Sequence, residues 1–227
     1  WYTKAANQGN ASAQHNLGVM YYNGEGVRQD KSKSFKWVEK SANQGDSSAQ
    51  YMLGVMYDKG EGARQDYPKA LEWYTKAANQ GHASAQFNLG LMYYNGEGVP
   101  QDYQKALQWF TKAANQGNAR AQTGLGYMYY EGKAAPQDYK KALEWYQKAA
   151  NQGDSDAQYM LGWMYYAGEG VTQSYQKALE WYEKAANQGL AVAQNNLGLM
   201  YDQGKGVRQD YPKAFEWFTK AANQGDV

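Results

Sequence analysis

The stretch YYNGEGVRQD, residues 21–30, offers the first candidate chemistry. Two glycines one residue apart, just ahead of a helix start, can turn backbone N–H groups toward a phosphate. A phosphate loop of that kind also carries a lysine followed by serine or threonine, and it follows a strand. This stretch has no such pair and no strand reading before it. It also recurs, as YDKGEGARQD at 57–66, YYNGEGVPQD at 93–102 and YYAGEGVTQS at 165–174. A nucleotide site is needed once, whereas a bend is needed in every structural unit, so the double glycine reads as a bend.

The other reactive residue types are sparse. His15 and His82 stand at different offsets, and a metal site needs further ligands converging on them. There is no cysteine and no G-x-S-x-G elbow for a serine nucleophile. Glu72, Glu144, Glu180 and Glu216 recur in register and read as surface charge. The expectation is a non-enzymatic protein with no catalytic residue, cofactor or metal site.

Composition narrows the partners. The 227 residues carry 23 basic and 22 acidic side chains, evenly spread, with a formal net charge of +1. No basic patch stands out, so nucleic acid is not expected as a partner. No stretch approaches the roughly 20 apolar residues of a membrane-spanning helix, so membrane insertion is not expected either. Aromatic residues make up 15% of the chain, with 22 tyrosines and 8 tryptophans. The chain starts at Trp1 rather than Met, inside an element, and reads as a fragment of a longer protein.

The elements that would position these residues follow from one period. Tryptophan falls at 1, 37, 73, 109, 145, 181 and 217, an interval of 36 throughout. Fixed self-similarity of this length marks a repeat architecture. A partial repeat, 1–9, precedes full repeats at 10–45, 46–81, 82–117, 118–153, 154–189 and 190–225, which together make a single repeat domain over 1–227. Each repeat predicts two helices, about 11–23 and 30–43 in the first copy, from apolar residues at helical spacing. Asp30, Asp66, Asp102, Asp138, Asp210 and Ser174 sit where the second helix needs an N-cap. Gly45 and its equivalents follow that helix as stop signals. Asn10, Asp46, Asn118 and Asp154 cap the first helices, with His82 and Leu190 as weaker candidates. In copy four Ala134 replaces the second glycine, which implies that the first glycine carries the stricter backbone demand. The recurrent tryptophan is expected in the core, with Trp109 at the seam between copies three and four. The fold class is all-α, a stack of helix-turn-helix repeats in which neighbours bury what one hairpin cannot.

The shared pattern A-x-A-Q-x-x-L-G-x-M-Y-x-x-G-x-G-V-x-Q-D-Y-x-K-A-x-x-W-Y-x-K-A-A-x-Q-G resembles the Sel-one-like repeat, a relative of the tetratricopeptide repeat, over essentially the whole chain. The resemblance implies a right-handed α/α superhelical solenoid. It also implies an adaptor that holds other proteins together, of bacterial origin, with a periplasmic or secreted location.

Function is sought where the copies differ, because packing already accounts for where they agree. With 100° per residue and Ser12 at zero, the repeated residues of the first helix span about 80° to 240°. The varied residues span about 280° through zero to 40°, without overlap. The varied positions of the second helix, such as Ser32, Lys36, Glu72 and Gln108, are polar and read as a solvated outer face. The first helices are therefore expected to line a concave groove for a protein or peptide. Its candidate contact residues are Tyr51, Phe87, Arg120, Tyr127, Tyr130, Asp156, Tyr159, Trp163 and Tyr166. Trp163 is the one tryptophan outside the 36-residue register, and nothing in the repeat's packing asks for it. Aromatic and arginine residues are the usual anchors of such interfaces. Three alternatives stay open: a spacer without a ligand, a glycan or peptidoglycan binder that stacks sugars on tyrosine, or aromatics that only fill the space between adjacent first helices. Phe215, Phe218 and Ala222 would leave an apolar end open to end-to-end self-association.

Overall fold

The computed structural model describes residues 2–225, and Trp1, the first member of the tryptophan register, lies outside them. The described residues form thirteen α-helices. In chain order these are α1 (Tyr2–Asn7), α2 (Ala11–Asn23), α3 (Lys31–Asn43), α4 (Ser47–Lys59), α5 (Tyr67–Asn79), α6 (Ala83–Asn95), α7 (Tyr103–Asn115), α8 (Ala119–Glu131), α9 (Tyr139–Asn151), α10 (Ser155–Ala167), α11 (Tyr175–Asn187), α12 (Ala191–Gln203) and α13 (Tyr211–Ala222). From α2 on, even-numbered helices are the first of each hairpin and odd-numbered helices the second. Two compact units result, one up to Gln116 and one from Gly117 on. Within each, a helix packs on its hairpin partner and on the next hairpin.

Local chemistry sets the helix limits. The Asp30 carboxylate accepts from the Lys33 backbone N–H at 2.9 Å, and Asp66, Asp102, Asp138 and Asp210 repeat that bond. Such a cap satisfies a backbone donor that the helix itself cannot. His82 does cap α6, through Nδ1 at 3.2 Å from the Ala85 N–H, whereas Leu190 gives α12 no side-chain cap. Gly24 ends α2 with φ of 79°, and its N–H returns to the Met20 carbonyl. The second loop position makes the same demand. Ala134 keeps a left-handed φ of 64° despite its Cβ, so the substitution in copy four is not a relaxation of the backbone. A left-handed φ at both positions lends no support to the expectation that the first glycine carries the stricter demand.

Small residues let the helices close. A Cβ placed on Gly126 would come within 2.8 Å of the Tyr146 ring, which is why α8 and α9 touch there only with glycine. In the first unit the core runs through Val38, Leu53, Met56, Tyr74, Leu89 and Met92. In the second, one cluster centres on Tyr146 and Leu161 and another on Tyr182 and Leu197.

The recurrent tryptophan is not the core residue. Trp109, Trp145 and Trp181 are half-buried, and the residue after each, Phe110, Tyr146 or Tyr182, is the buried one. The tryptophan stands on the helix edge, where the lysine one turn later covers its face. Lys112 lies 4.0 Å and Lys184 3.9 Å from the respective ring centroid. Trp109 packs against the first unit's own core cluster.

A glutamine ladder joins successive helices. The Gln14 amide donates to the Ala6 carbonyl of the preceding repeat at 3.0 Å, and the Gln44 amide donates to Gln14 at 2.7 Å. The pattern returns at Gln50 and Gln80, and at Gln158 and Gln188. Gln14, Gln50 and Gln158 are buried with partners, as buried polar groups require, while Gln44, Gln80 and Gln188 reach them from exposed positions.

Candidate functional site

The first helices sort their faces as the varied arc predicts. Ala121, Gln122, Leu125, Gly126 and Met128 of α8 are buried, while Arg120, Tyr127 and Glu131 are exposed. On the second helices Lys36, Glu72, Gln108 and Glu144 are exposed, as a solvated face should be.

The candidate residues divide between the two units. In the first, the half-buried Tyr51 stacks on His82 with centroids 4.7 Å apart and leans on Tyr74. Phe87 packs against Phe110 at 5.8 Å. A shallow trough of about 340 Å³ lies along α2 and α4, between Val19, Tyr22, Tyr51 and Val55.

In the second unit the candidates come together more fully. Trp163 donates its indole N–H to the Tyr130 hydroxyl at 2.9 Å and stacks on Tyr166 with centroids 6.2 Å apart. Packing therefore does account for Trp163, contrary to the sequence expectation. Tyr159 leans on Tyr182 at 5.7 Å. Tyr127 is 38% exposed, with the Lys133 ammonium 5.3 Å from its ring centroid. Loss of solvent and the nearby Asp154 charge raise the Asp156 carboxyl, and the Arg120 guanidinium pulls it back. Aromatic edges on α8 and α10, flanked by one arginine and one aspartate, thus share one face.

One inter-repeat contact was missed in the sequence. The residue between the two loop glycines reaches the tyrosine 39 positions earlier. The Tyr22 hydroxyl donates to Glu61, and the Tyr130 hydroxyl donates to Glu169 at 2.7 Å. Burial, and then these carboxylates, push both phenols up to about 12. The Tyr22 bond in turn holds the Glu61 carboxyl below its ordinary value. At the next copy the polarity inverts: Lys205 donates to the Tyr166 hydroxyl, which raises the lysine. The spacing was readable in the sequence, but a loop assigned to bending gave no reason to look for a partner.

Between α10 and α12 lies a slot of about 120 Å³, walled by Trp163, Tyr166, Leu199 and Met200 and rimmed by Asn196 and Gln203. Among the described residues no group of three or more His, Asp or Glu side chains could hold a metal ion. No described helix is long and apolar enough to cross a membrane.

Comparison with known proteins places these observations. The family model for the Sel1 repeat matches at residues 1–10, 11–46, 47–82, 83–118, 119–154, 155–190 and 191–226. No curated protein matches the chain. Among solved structures, a protective antigen present in uropathogenic Escherichia coli strains, displaying an SLR fold, is 40% identical, with a TM-score of 0.91 over 99% of this chain. The match takes in 48% of that antigen, so the present chain spans about half its length. A Sel1 repeat protein from Oxalobacter formigenes is 33% identical, with a TM-score of 0.89, covering 94% of this chain and 86% of that one. An immunity protein from Pseudomonas aeruginosa, 23% identical, shares the fold alone, with a TM-score of 0.62 over 96% of this chain and 83% of its own.

Proposed function

Because this chain belongs to the Sel1 repeat family, whose members generally mediate protein–protein interaction, we propose that it is a non-enzymatic scaffold that binds a peptide segment of a partner on the free face of its first helices. The observation that supports the reading most is the cluster of Tyr130, Trp163 and Tyr166. Their hydrogen bond and stacking hold large aromatic rings in place at a half-exposed surface. Rings fixed before binding lose little entropy when a partner arrives, which is how preorganised anchors gain affinity. Aromatic anchors of this kind dominate interface energetics.

The test is selection of a random peptide library on the protein, followed by calorimetry of the selected peptides against wild type, Trp163→Ala and Glu180→Ala. Loss confined to Trp163→Ala supports the face. Failure to select any peptide favours the spacer. Preferential binding of cell-wall fragments over the peptides favours the glycan reading.

A second contact is supported by α13, where Tyr211 is 62% and Phe215 74% exposed on one side of the helix. We propose weak self-association through this stripe, which also takes in the half-buried Phe218 and the exposed Ala222. A mass in light scattering that stays that of one chain at high concentration excludes it.

A further inference from the structure

The slot between α10 and α12 opens where the repeat register returns from tryptophan to a smaller residue of the kind held at Val19, Val55 and Leu91. Leu199 stands 36 positions after Trp163. At the junction of α8 and α10 the indole of Trp163 spans to Tyr130, 2.9 Å from its hydroxyl. At the next junction the shorter leucine cannot span, and a space of about 120 Å³ opens. Its floor is the Tyr182 ring, only 1% exposed, and Trp163 forms one wall. Leu199 itself is 40% exposed at the mouth. A cavity of about 150 Å³ holds a benzene molecule, so this volume fits one aliphatic side chain of leucine or methionine size.

Beside the slot Tyr166 meets a lysine, where Tyr22 and Tyr130 each meet a glutamate. Tyr22 and Tyr130 each give their hydroxyl proton to a glutamate, so both ends of those pairs are occupied. Tyr166 instead accepts from Lys205, and its own proton remains to be donated. Among the described residues no carboxylate forms an ion pair with Lys205. An ammonium and a phenol O–H therefore stand side by side, the phenol on a side chain that lines the slot. That pairing is complementary to a carboxylate.

Apolar side chains stand on both sides of the slot: Val192, 46% exposed and two turns before Leu199 on α12 beyond Asn195 and Asn196, and the half-buried Trp163 on α10. A bound chain accordingly runs past the slot and does not end in it. We propose that the slot takes one leucine- or methionine-like side chain of a partner segment, and that an aspartate or glutamate side chain close by in that segment is held by Lys205 and Tyr166. The proposal rests on the reading of the first-helix face as the binding surface.

The probes are N-acetylated, C-amidated short peptides with one leucine followed at different spacings by glutamate. Matched peptides replace the leucine by alanine or the glutamate by glutamine. Affinity is read by NMR titration of the intact chain. The best leucine–glutamate peptide should bind about tenfold or more tightly than its alanine counterpart, as burial of one aliphatic side chain gives. It should exceed its glutamine counterpart by up to about fivefold, the range of a solvent-accessible ion pair. Lys205→Glu should reverse the second preference. Leu199→Trp, which copies the residue of the preceding repeat, should keep the fold and abolish binding.

Equal affinity for the glutamate and glutamine peptides overturns the carboxylate contact. A free-acid peptide ending in leucine that binds better than the amidated ones overturns the internal acid in favour of a chain terminus. Failure of every panel peptide overturns the slot. The library-selected peptides separate this from the broader reading. If Leu199→Trp binds them as wild type does while Tyr127→Ala weakens them, the slot is wrong and the face stands. If neither variant weakens them, the face falls as well.

Discussion

Tyr146→Phe should stabilise the protein, although it removes a polar group from a well-packed ring. Positions 74, 110, 146 and 182 hold one buried ring per repeat. The Tyr74 hydroxyl donates to the Asp58 carboxylate at 3.2 Å and also meets Asn88. Tyr182 meets Asn196 in the same register. Phe110 has no hydroxyl to satisfy, and Gly124 stands where the asparagine would be. Tyr146 keeps its hydroxyl, but Met160 occupies the asparagine position, and among the described residues that buried oxygen has no partner. An unsatisfied buried polar group costs about 1–3 kcal/mol, whereas a made hydrogen bond contributes a net 0.5–1.5 kcal/mol. Tyr146→Phe leaves the ring packing in place, so a gain of about 1 kcal/mol is expected. Tyr74→Phe should lose about 1 kcal/mol, because it breaks a bond and strands Asp58. Urea denaturation of the two variants and wild type, followed by far-UV circular dichroism, reads the difference as opposite shifts in midpoint at unchanged slope. In thermal melts the Tyr146→Phe gain corresponds to roughly 2–4 °C for a chain of this size. Equal destabilisation of both variants would refute the reasoning, since it would mean that the Tyr146 hydroxyl is satisfied.

Ala134→Gly relieves a left-handed alanine at φ 64°. The strain of roughly 1–2 kcal/mol is partly offset by the freer unfolded chain, and a net gain of about 0.5–1 kcal/mol should raise the denaturation midpoint. Phe110→Ala should cost about 3–5 kcal/mol as a buried aromatic. Trp109→Ala, half-buried under Lys112, should cost about 2 kcal/mol, and a reversed order in chemical denaturation would restore the tryptophan to the core. Tyr22 and Tyr130 titrate near 12 in the folded chain against an ordinary 10, so their protonated forms are favoured by folding. That stability is fully present below pH 10 and is lost as pH rises toward 12. Melting temperature should fall across that window, and Tyr130→Phe should flatten the fall; a level profile contradicts it.

The helices were legible because their signals are local and repeated. Aspartate caps, stop glycines and the apolar stripe fall within one turn of the backbone they control. The same signals place α3 at Lys31–Asn43 and α2 at Ala11–Asn23, as expected. The register of the second helix was harder to read. Trp109 and Phe110 are adjacent large aromatics, and which one points inward depends on where the previous hairpin lies. Hydrophobicity alone favoured the tryptophan, while geometry sets it at the edge, where a lysine can cover its face. The glutamine pairs and the residue between the loop glycines went unread because each such contact joins residues 30 to 39 positions apart, as with Gln44 on Gln14 and Tyr130 on Glu169. Of the candidate site, the separation of faces followed from within-chain variation, which also named Tyr130, Trp163 and Tyr166 but not the hydrogen bond and stacking that join them. The slot did not, because it arises from what Leu199 fails to fill.

The central claim is that binding resides on the free face of the first helices, with Trp163 as an anchor. The most direct measurement is the calorimetric affinity of a library-selected peptide for wild type, Trp163→Ala and Glu180→Ala, each first shown to unfold at its own cooperative midpoint. The account predicts a loss of about 2 kcal/mol or more for Trp163→Ala, as for an interface hot spot. It predicts less than about 0.5 kcal/mol for the exposed Glu180→Ala on the opposite face. Normal binding by Trp163→Ala, together with weakened binding by Glu180→Ala, would contradict it and assign the function to the outer surface.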